Sequence, residues 1–331
     1  MVKARKILLI IILSLVGVVV TLGSIAGGYF LFAQGSKTER AQNVPKEHEI
    51  IYIDGEKYIA KDTVNYLVVG IDSTGEMKAS NGYNNTALND LICLVSFNLT
   101  DSSYTIIPIS RDTMVEVDVL GLSGKVIGSK YTQIDYAHTV GDGLDMSFRN
   151  TCRAASKVLM GVDIERYIGI NMTTVPLLND FLGGVTITLE EDLTVIDPTW
   201  EEGATITLTG DTCLKYLRAR MEVGDGTQIS RMRRQQVYME ELVRKARTND
   251  YTFSDILDAL HIVNNYVCMD VTYMDMADIL NYVKTFHYNG IKQIKGYTQK
   301  NKGLIEFIPY EEDLKELVIS TFYDKAPEEQ K

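Results

Sequence analysis

The feature that most constrains this chain is the stretch 7–32, which is 26 residues long and carries no charged side chain. A helix that spans the hydrocarbon core of a bilayer needs about 20 consecutive apolar residues. Three basic residues precede the stretch, Lys3, Arg5 and Lys6. The positive-inside rule therefore places residues 1–6 in the cytoplasm and the rest of the chain outside. The sequence predicts a single-pass protein of the cell membrane whose C-terminal domain is extracytoplasmic.

A cleaved signal peptide is the alternative interpretation of the same stretch. Ser24-Ile25-Ala26 has the small-residue pattern of a cleavage site. However, the apolar core of a signal peptide is usually about 7–15 residues long, and this stretch exceeds that length. The length therefore favours a retained signal anchor.

The charge of the predicted external part is strongly negative. The whole chain has 33 basic and 44 acidic residues, and residues 1–40 hold five of the basic and one of the acidic ones, which leaves a net charge of −15 for the remainder. Such a domain repels polyanions, so any anion that it binds must be held by a local cluster. Because nucleic-acid affinity depends on many phosphate-neutralising cations, no nucleic acid is expected as a partner.

The four cysteines show no metal-binding spacing, because they lie far apart in sequence and form no C-x-x-C pair. They are Cys93, Cys152, Cys213 and Cys268. Export permits disulfides between them, but each lies in an apolar context that suits a small buried thiol. We favour the interpretation as buried thiols.

Apolar runs alternate with helical patterns after residue 62. The runs 65–71, 91–97 and 104–109 are too continuous for half-exposed strands and indicate strands buried on both faces. Helical periodicity follows at 145–162 and recurs up to the end of the chain. This alternation predicts an α/β fold, a three-layer α/β/α sandwich with a central mixed β-sheet.

The predicted organisation has five parts. They are a cytoplasmic N-terminus at 1–6, a transmembrane signal anchor at 7–32, a juxtamembrane linker with a short hairpin at 33–61, an extracytoplasmic domain at 62–325 and a tail at 326–331. The hairpin is predicted by Asp54-Gly55, a dipeptide that favours two-residue hairpin turns.

Five arginines lie within 17 residues of this acidic chain, namely Arg218, Arg220, Arg231, Arg233 and Arg234. Arg218 and Arg220 point the same way if the chain is extended there. Arg231, Arg234 and Gln235 share one helical face. Since a planar guanidinium group binds two phosphate oxygens at once, the cluster predicts an anion site. The alternative is that these arginines are solvated or paired with neighbouring acids.

Charged residues also stand at the ends of the predicted strands. Asp72 follows the first apolar run, and Asp90 precedes the second. Arg111 and Asp112 follow the third run. Ligands collect at strand ends in open α/β sheets, so Asp72 and Asp90 are candidates to coordinate Mg²⁺ (or Mn²⁺) together with substrate phosphates. The alternative is that each carboxylate caps a turn or a helix.

The order and spacing of these motifs over residues 62–325 resemble the LytR-CpsA-Psr family, membrane-anchored ligases that attach wall glycopolymers to peptidoglycan in Gram-positive bacteria. The matching motifs are VVGIDS, IPISRDT, FLGGVTI, LTGDTCLKYLRAR and RMRRQQ. The resemblance implies a phosphotransferase that moves a glycopolymer from a polyprenyl-pyrophosphate carrier to peptidoglycan and releases polyprenyl phosphate. It also implies an apolar tunnel between sheet and helices for the prenyl tail.

The resemblance assigns roles to nine residues of this sequence. Pyrophosphate binding is expected of Arg111, Arg218, Arg220, Arg231, Arg234 and Gln235. The expected catalytic residues are Arg111, Asp112, Arg218 and Arg220. Asp112 is a candidate base, but the orientation of a neighbouring arginine is its favoured role. Asp72 and Asp90 would hold the metal ion on the diphosphate.

This sequence departs from the family's pattern at positions that face the phosphates. Leu88 stands where the family has the arginine of R-x-D-T, and Gln133-Ile134-Asp135 replaces K-I-N. The D-F-G before the last arginine helix reads Q-I-S here, at residues 228–230. Because two cations are replaced, a second interpretation stays open, a non-catalytic polyprenyl-pyrophosphate-binding or wall-assembly scaffold protein.

Overall fold

The computed structural model of the protein describes residues 50–80, 85–121, 123–219, 223, 234, 237, 238, 241, 245, 253–301 and 303–326. The predicted anchor at 7–32 lies outside these residues. Among the helices that the structure describes, none combines the length and apolarity needed to cross a bilayer.

A mixed six-stranded sheet forms the centre of the fold, with helices around it. The described strands are β1 Ile50–Ile53, β2 Glu56–Ala60, β3 Thr63–Ile71, β4 Asn89–Asn98, β5 Ser103–Pro108, β6 Met114–Leu120, β7 Val126–Gln133, β8 Arg166–Asn171, β9 Val185–Thr188, β10 Thr205–Leu208, β11 Val267–Met269, β12 His287–Ile291, β13 Gly296–Asn301, β14 Leu304–Pro309 and β15 Tyr323–Lys325. The order in the central sheet is β11-β8-β3-β4-β5-β12. Two pairs are parallel, β8 with β3 and β5 with β12, and the other pairs are antiparallel. The predicted α/β fold with a central mixed sheet is confirmed.

The described helices pack on both faces of this sheet and beside it. They are α1 Asp145–Val158, α2 Thr174–Phe181, α3 Asp211–Arg218, α4 Phe253–Val263, α5 Tyr273–Thr285 and α6 Glu311–Phe322, with short 3₁₀ helices at Ile134–Thr139 and Asn264–Tyr266. Leu94 of β4 packs in one apolar cluster with residues of α1 and α6. Its neighbour Val95 packs in the cluster on the opposite face with Ile279 of α5. Successive strand residues point to opposite faces, so the continuous apolar runs are explained by burial on both sides.

A second apolar core lies beside the sheet and is built from α2, the β9–β10 hairpin and α3. The turn between α2 and β9 depends on glycine. Gly183 and Gly184 have φ angles of 76° and 77°, and a Cβ on Gly184 would lie 2.8 Å from the carbonyl oxygen of Leu208. Helix α2 therefore ends at this glycine pair, and at Gly184 no other residue fits both the backbone conformation and the space.

Three further hairpins flank the sheet in the part of the chain that the structure describes, and the sequence predicts one of them, β1–β2. Asp54 and Gly55, both with positive φ, turn the chain between β1 and β2 as predicted. The β6–β7 and β13–β14 hairpins are not predicted. They pack beside the end of β5, since the Phe307 amide donates a hydrogen bond of 2.8 Å to the Asp112 carbonyl.

All four cysteines are free thiols, and Cys93, Cys152 and Cys213 are buried. Cys268 is half-buried, and its sulfur lies 3.5 Å from the Tyr167 hydroxyl. The interpretation as buried thiols is thus confirmed for the first three and holds in part for Cys268.

Candidate active site

The candidate active site lies where three strands of the central sheet begin or end. β3 and β5 both run antiparallel to β4, so the last residues of β3 and β5 lie beside the first residues of β4. Ile71 at the end of β3 pairs with Asn89 at the start of β4. Asp72, Asp90 and Arg111 are therefore placed at one end of the sheet.

Arg111 is the centre of this site and is surrounded by carboxylates. One terminal nitrogen of its guanidinium group, Nη1, forms an ion pair with Asp90. The other, Nη2, lies 3.0 Å from Oδ2 of Asp135, and Nε lies 4.0 Å from Oδ1 of Asp112. The Arg111 side chain keeps 40% of its surface exposed. The guanidinium group is thus fixed in direction by acids and still accessible to a ligand.

Asp112 links Arg111 to Gln133, because its carboxylate contacts both side chains. The Gln133 side-chain amide donates hydrogen bonds to Oδ1 of Asp112, at 3.1 Å, and to the carbonyl oxygen of Ile305, at 2.8 Å. Burial raises the pKa of Asp112, while Arg111 and the Gln133 hydrogen bond act in the opposite direction. Where the family pattern has a lysine, this chain has the neutral Gln133, whose side-chain amide links Asp112 to the β13–β14 hairpin.

Asp135 is a functional candidate that the sequence analysis did not single out. It lies on the 3₁₀ helix Ile134–Thr139, and its backbone amide donates a hydrogen bond of 3.1 Å to the carbonyl oxygen of Arg111. Its side chain is only 3% exposed. Burial raises the pKa of Asp135 to about 6, although Arg111 lowers it and Asp112 raises it further. The only signal in the sequence was the acid at the position of the asparagine in K-I-N.

Asp72 closes a turn as well as standing at the strand end. Its Oδ1 accepts a hydrogen bond of 2.8 Å from the Leu88 amide, and its own amide donates one of 3.1 Å to the Leu88 carbonyl. Asp72 therefore stabilises a turn, as the alternative interpretation of this residue expects. Its second carboxylate oxygen, Oδ2, takes no part in the contact with Leu88. Leu88 contributes its backbone to the site where the family pattern has an arginine side chain.

The donor set at this end fits a hard cation only in part. Carboxylates such as Asp72 and Asp90 suit Mg²⁺, which is usually held by one or two carboxylates, waters and substrate phosphates. In the described part of the chain, no group of three or more His, Cys, Asp or Glu side chains is placed to hold a metal ion. Two carboxylates alone are thus suited to a metal ion that arrives with its phosphate ligand.

The arginines of the predicted anion cluster divide into two groups. Arg220, Arg231 and Arg233 lie outside the described residues, as does the neighbouring Gln235. Arg218 ends α3 and is exposed, so its guanidinium group is accessible.

Arg234 has a different setting, because its side chain is only 3% exposed and forms an ion pair with Glu191. It also donates a hydrogen bond to the carbonyl oxygen of Ala219, which directly follows Arg218. Arg234 therefore fixes the segment that follows α3. Its contacts match the paired alternative for these arginines, and its expected contact with pyrophosphate stays a prediction.

The chain is similar in sequence and in fold to known proteins. The model of the LytR_cpsA_psr family matches residues 29–320. A relative from Bacillus mycoides (strain KBAB4), named polyisoprenyl-teichoic acid–peptidoglycan teichoic acid transferase TagU, is 26% identical over 277 residues, which cover 83% of each chain. Two crystal structures from Bacillus subtilis share the fold. TagV has a TM-score of 0.53 at 18% identity and covers 78% of this chain and 96% of its own. TagT has a TM-score of 0.51 at 20% identity and covers 78% and 89%.

Proposed function

The chain belongs to the LytR_cpsA_psr family, and from that premise we propose that it is an extracytoplasmic transferase that moves a glycopolymer from a polyprenyl-pyrophosphate carrier to peptidoglycan. Its relatives carry the name of a teichoic acid–peptidoglycan transferase. The stretch 7–32 anchors the protein in the membrane from which the lipid carrier comes. Its partners are then the lipid-linked glycopolymer, the membrane and peptidoglycan.

The observation that carries the proposal is the setting of Arg111 at the end of the sheet. Its guanidinium group is oriented by Asp90 and Asp135 and remains 40% exposed. A pyrophosphate is best held by groups that are fixed before it binds, because phosphoryl transfer depends mainly on positioning and on neutralising charge. Arg111 is the described residue that meets both requirements.

The chemistry is displacement at phosphorus. A hydroxyl oxygen of the acceptor forms a bond to the sugar-linked phosphorus and gives up its proton to solvent, and the bond from that phosphorus to the oxygen of polyprenyl phosphate breaks. Polyprenyl phosphate then leaves with the bonding electron pair. Arg111 and Arg218 bind the oxygens that carry the negative charge, and Asp112 orients Arg111. Arg220, Arg231 and Gln235, which lie outside the described residues, are proposed to complete the phosphate-binding set.

Asp72 and Asp90 are the residues that would hold Mg²⁺ or Mn²⁺ in this mechanism. The metal ion, when bound, supplies positive charge that the phosphates need. This chain has a particular need for that charge, since Arg111 is surrounded by Asp90, Asp112 and Asp135. A metal ion on Asp90 would also weaken the hold of that carboxylate on Arg111 and favour its contact with phosphate.

The second candidate function is a non-catalytic binder of polyprenyl pyrophosphate. It is favoured by the neutral Gln133 and the acidic Asp135 at positions where the family has a lysine and an asparagine. Each lost charge-assisted contact weakens pyrophosphate binding by about 1.5–3 kcal/mol. A binder needs only enough affinity for the carrier, whereas a transferase must also stabilise the transition state.

The experiment uses the full-length protein in nonionic detergent, with lipid-linked pyrophosphate donor, peptidoglycan acceptor and Mg²⁺. Release of polyprenyl phosphate that needs the acceptor and is abolished by a metal chelator and by Arg218→Ala supports the transferase. Carrier binding without release supports the binder. If neither release nor carrier binding is detected, both functions are excluded. A reporter fused to the C-terminus tests separately whether the domain is extracytoplasmic.

A further inference from the structure

The opposite end of the central sheet is polar where a sheet covered on both faces is usually apolar. Ser96 of β4 pairs with Thr105 of β5, and Asn98 of β4 pairs with Ser103 of β5. These residues follow the alternation of Leu94 and therefore share its face of the sheet. All four are less than 8% exposed. The apolar core on this face thus ends in a patch of hydroxyl and amide groups.

A small cleft that is open to solvent lies over this patch. Two lysines line it together with polar residues of β12 and α6. The lining residues used here are Lys61, Lys292, Ser96, Ser103, Thr321 and Asp101. The cleft is thus a polar cavity with two cations and one acid.

The two ammonium groups are only partly satisfied by the protein. Nζ of Lys292 donates a hydrogen bond of 2.8 Å to the Thr321 hydroxyl, and among the described residues no carboxylate forms an ion pair with it. Nζ of Lys61 lies 3.1 Å from the Ser320 carbonyl oxygen and 3.6 Å from Asp324, whose side chain is 64% exposed. Burial and the nearby Lys61 lower the pKa of Lys292, while Asp101 raises it. Both ammonium groups therefore keep donor capacity that these contacts do not use, and Lys292 has no direct ion pair among the described residues.

Further donors face the same space. The Ser103 hydroxyl accepts a hydrogen bond of 2.9 Å from the Asn289 amide, so its own proton is available for a ligand. Each ammonium group has three donors, of which the described contacts of Lys292 use one. Cations and hydroxyl groups that converge from the sheet floor and the cleft wall suit an anion with several acceptor oxygens.

We infer that this cleft binds a phosphate group between Lys61 and Lys292, with Ser103 as a hydroxyl donor. A phosphate offers oxygens in three dimensions and carries enough charge to offset both ammonium groups, which a planar carboxylate does not. Lysine is an established phosphate ligand as a point charge. Asp101 limits the affinity, because a carboxylate at the rim repels the same anion. The ligand is inorganic phosphate or a phosphate monoester.

The phosphate cleft is separate from the candidate active site. Asp90 and Asn98 lie near opposite ends of β4, which has 10 residues. A strand of that length spans about 30 Å. Binding in the cleft can therefore be measured independently of the proposed transfer reaction, and its failure would leave that reaction unaffected.

The test is calorimetric titration of the full-length protein with inorganic phosphate, in nonionic detergent and at constant ionic strength. The expected dissociation constant is about 1 mM. Lys292→Met should raise it at least about tenfold, because a charge-assisted contact is lost. Lys61→Met should act in the same direction. Asp101→Asn should lower it about threefold, since the repulsive rim charge is removed, and this variant keeps the test decisive if the lysine variants fail to fold.

Arg111→Ala separates this cleft from the candidate active site. Phosphate binding that persists in Arg111→Ala and weakens in Lys292→Met supports the inference. The inference is overturned if no saturable binding occurs, if Lys292→Met binds as tightly as the wild type, or if binding depends on Arg111 instead. Acetate that competes as strongly as phosphate would overturn the assignment to a phosphate group. Methyl phosphate that binds as well as inorganic phosphate supports a monoester as the ligand, and methyl phosphate that does not bind leaves inorganic phosphate as the supported ligand.

Discussion

The two ends of the central sheet hold their cations in opposite ways. At one end, Arg111 is surrounded by Asp90, Asp112 and Asp135. At the other end, the partly buried Lys61 and Lys292 share a cleft whose lining contains a single acid, Asp101. The same strands β4 and β5 connect both ends, so the difference comes from side chains at the strand termini and from the elements packed against them.

This difference shows that an arginine in a site is not by itself a phosphate-binding group. Carboxylates orient Arg111 and also offset its charge, so a phosphate must compete with them or arrive with a metal ion. Lys61 and Lys292 have fewer and more distant acidic neighbours, Asp101 and Asp324, and an anion that binds them meets less competition. We expect the end with Arg111 to position a phosphate group for reaction, and the end with Lys61 and Lys292 only to bind an anion.

The largest expected effect is that of Arg111→Ala on the transfer reaction. Removal of one preorganised donor to a transition-state oxygen typically lowers kcat about 100- to 1000-fold, and we expect polyprenyl phosphate release to fall by that factor. The matched control is Arg153→Ala. Arg153 is equally exposed, at 40%, and forms an ion pair of 2.9 Å with Asp118 on β6. Release should change less than about twofold in the control. A loss below threefold in Arg111→Ala would remove Arg111 from the mechanism.

Next in size is the effect of restoring the family's charges at the first end. Gln133→Lys combined with Asp135→Asn adds one positive charge and removes one negative charge beside Arg111. One additional charge-assisted contact of about 1.5–3 kcal/mol corresponds to at least about tenfold tighter binding of the lipid-linked pyrophosphate. Equilibrium binding measures this change.

Gln133→Met is the control for that double variant. It removes the hydrogen bonds to Asp112 and to the Ile305 carbonyl without adding charge. The carrier should then bind no more tightly than to the wild type. An unchanged affinity of the double variant would contradict the view that charge at this end limits binding.

The sequence predicted those parts of the fold whose pattern depends on burial by the whole domain. β3, β4 and β5 were recognised because sheets covered on both faces select continuous apolar runs. β7 was missed because its sequence, VIGSKYTQ, is mostly exposed and has no apolar alternation. Its strand conformation depends on pairing with β6, which the local sequence does not encode.

The candidate site was predictable to the same extent. The ends of apolar runs placed Asp72, Asp90 and Arg111 at one end of the sheet, because the positions follow from strand order. Asp135 was not recognised, since its contact with Arg111 depends on a 3₁₀ helix that returns to the end of β5 through the β6–β7 hairpin. The lysine cleft also depends on tertiary contacts that the local sequence does not encode, because Lys61 and Lys292 are 231 positions apart.

A smaller effect is expected for Asp135→Asn, at the end of the sheet that holds Arg111, on the free energy of unfolding. Burial raises the pKa of Asp135 from 3.8 to about 6, so the folded protein binds this proton more tightly than the unfolded chain, and stability falls as the pH rises through that range. Asp135→Asn lacks this loss. We expect it to be more stable by about 1–2 kcal/mol at neutral pH, which is less than the pKa change alone would give, because Arg111 also loses a partner.

Denaturant unfolding of Asp135→Asn and of the wild type at several pH values measures this difference. The advantage of the variant should disappear below about pH 4, where Asp135 is protonated in both states. His138, whose pKa burial lowers to about 4, titrates over the same range in both proteins and cancels in the comparison. An advantage that is independent of pH would show that Asp135 is not the titrating group.

The smallest effect is expected for Lys292→Met at the second end, measured without phosphate. Burial and Lys61 lower the pKa of Lys292, so its positive charge costs stability in the folded protein, and this cost disappears as the pH rises above the pKa of the unfolded chain. Because the side chain is only half-buried, solvent screens the charge, and we expect the variant to gain no more than about 1 kcal/mol at neutral pH. Added phosphate should stabilise the wild type and reverse the order of the two proteins. Thermal unfolding with and without phosphate checks both signs. A wild type that phosphate does not stabilise, in detergent and at constant ionic strength, would mean that the two ends differ in charge but not in their capacity to bind anions.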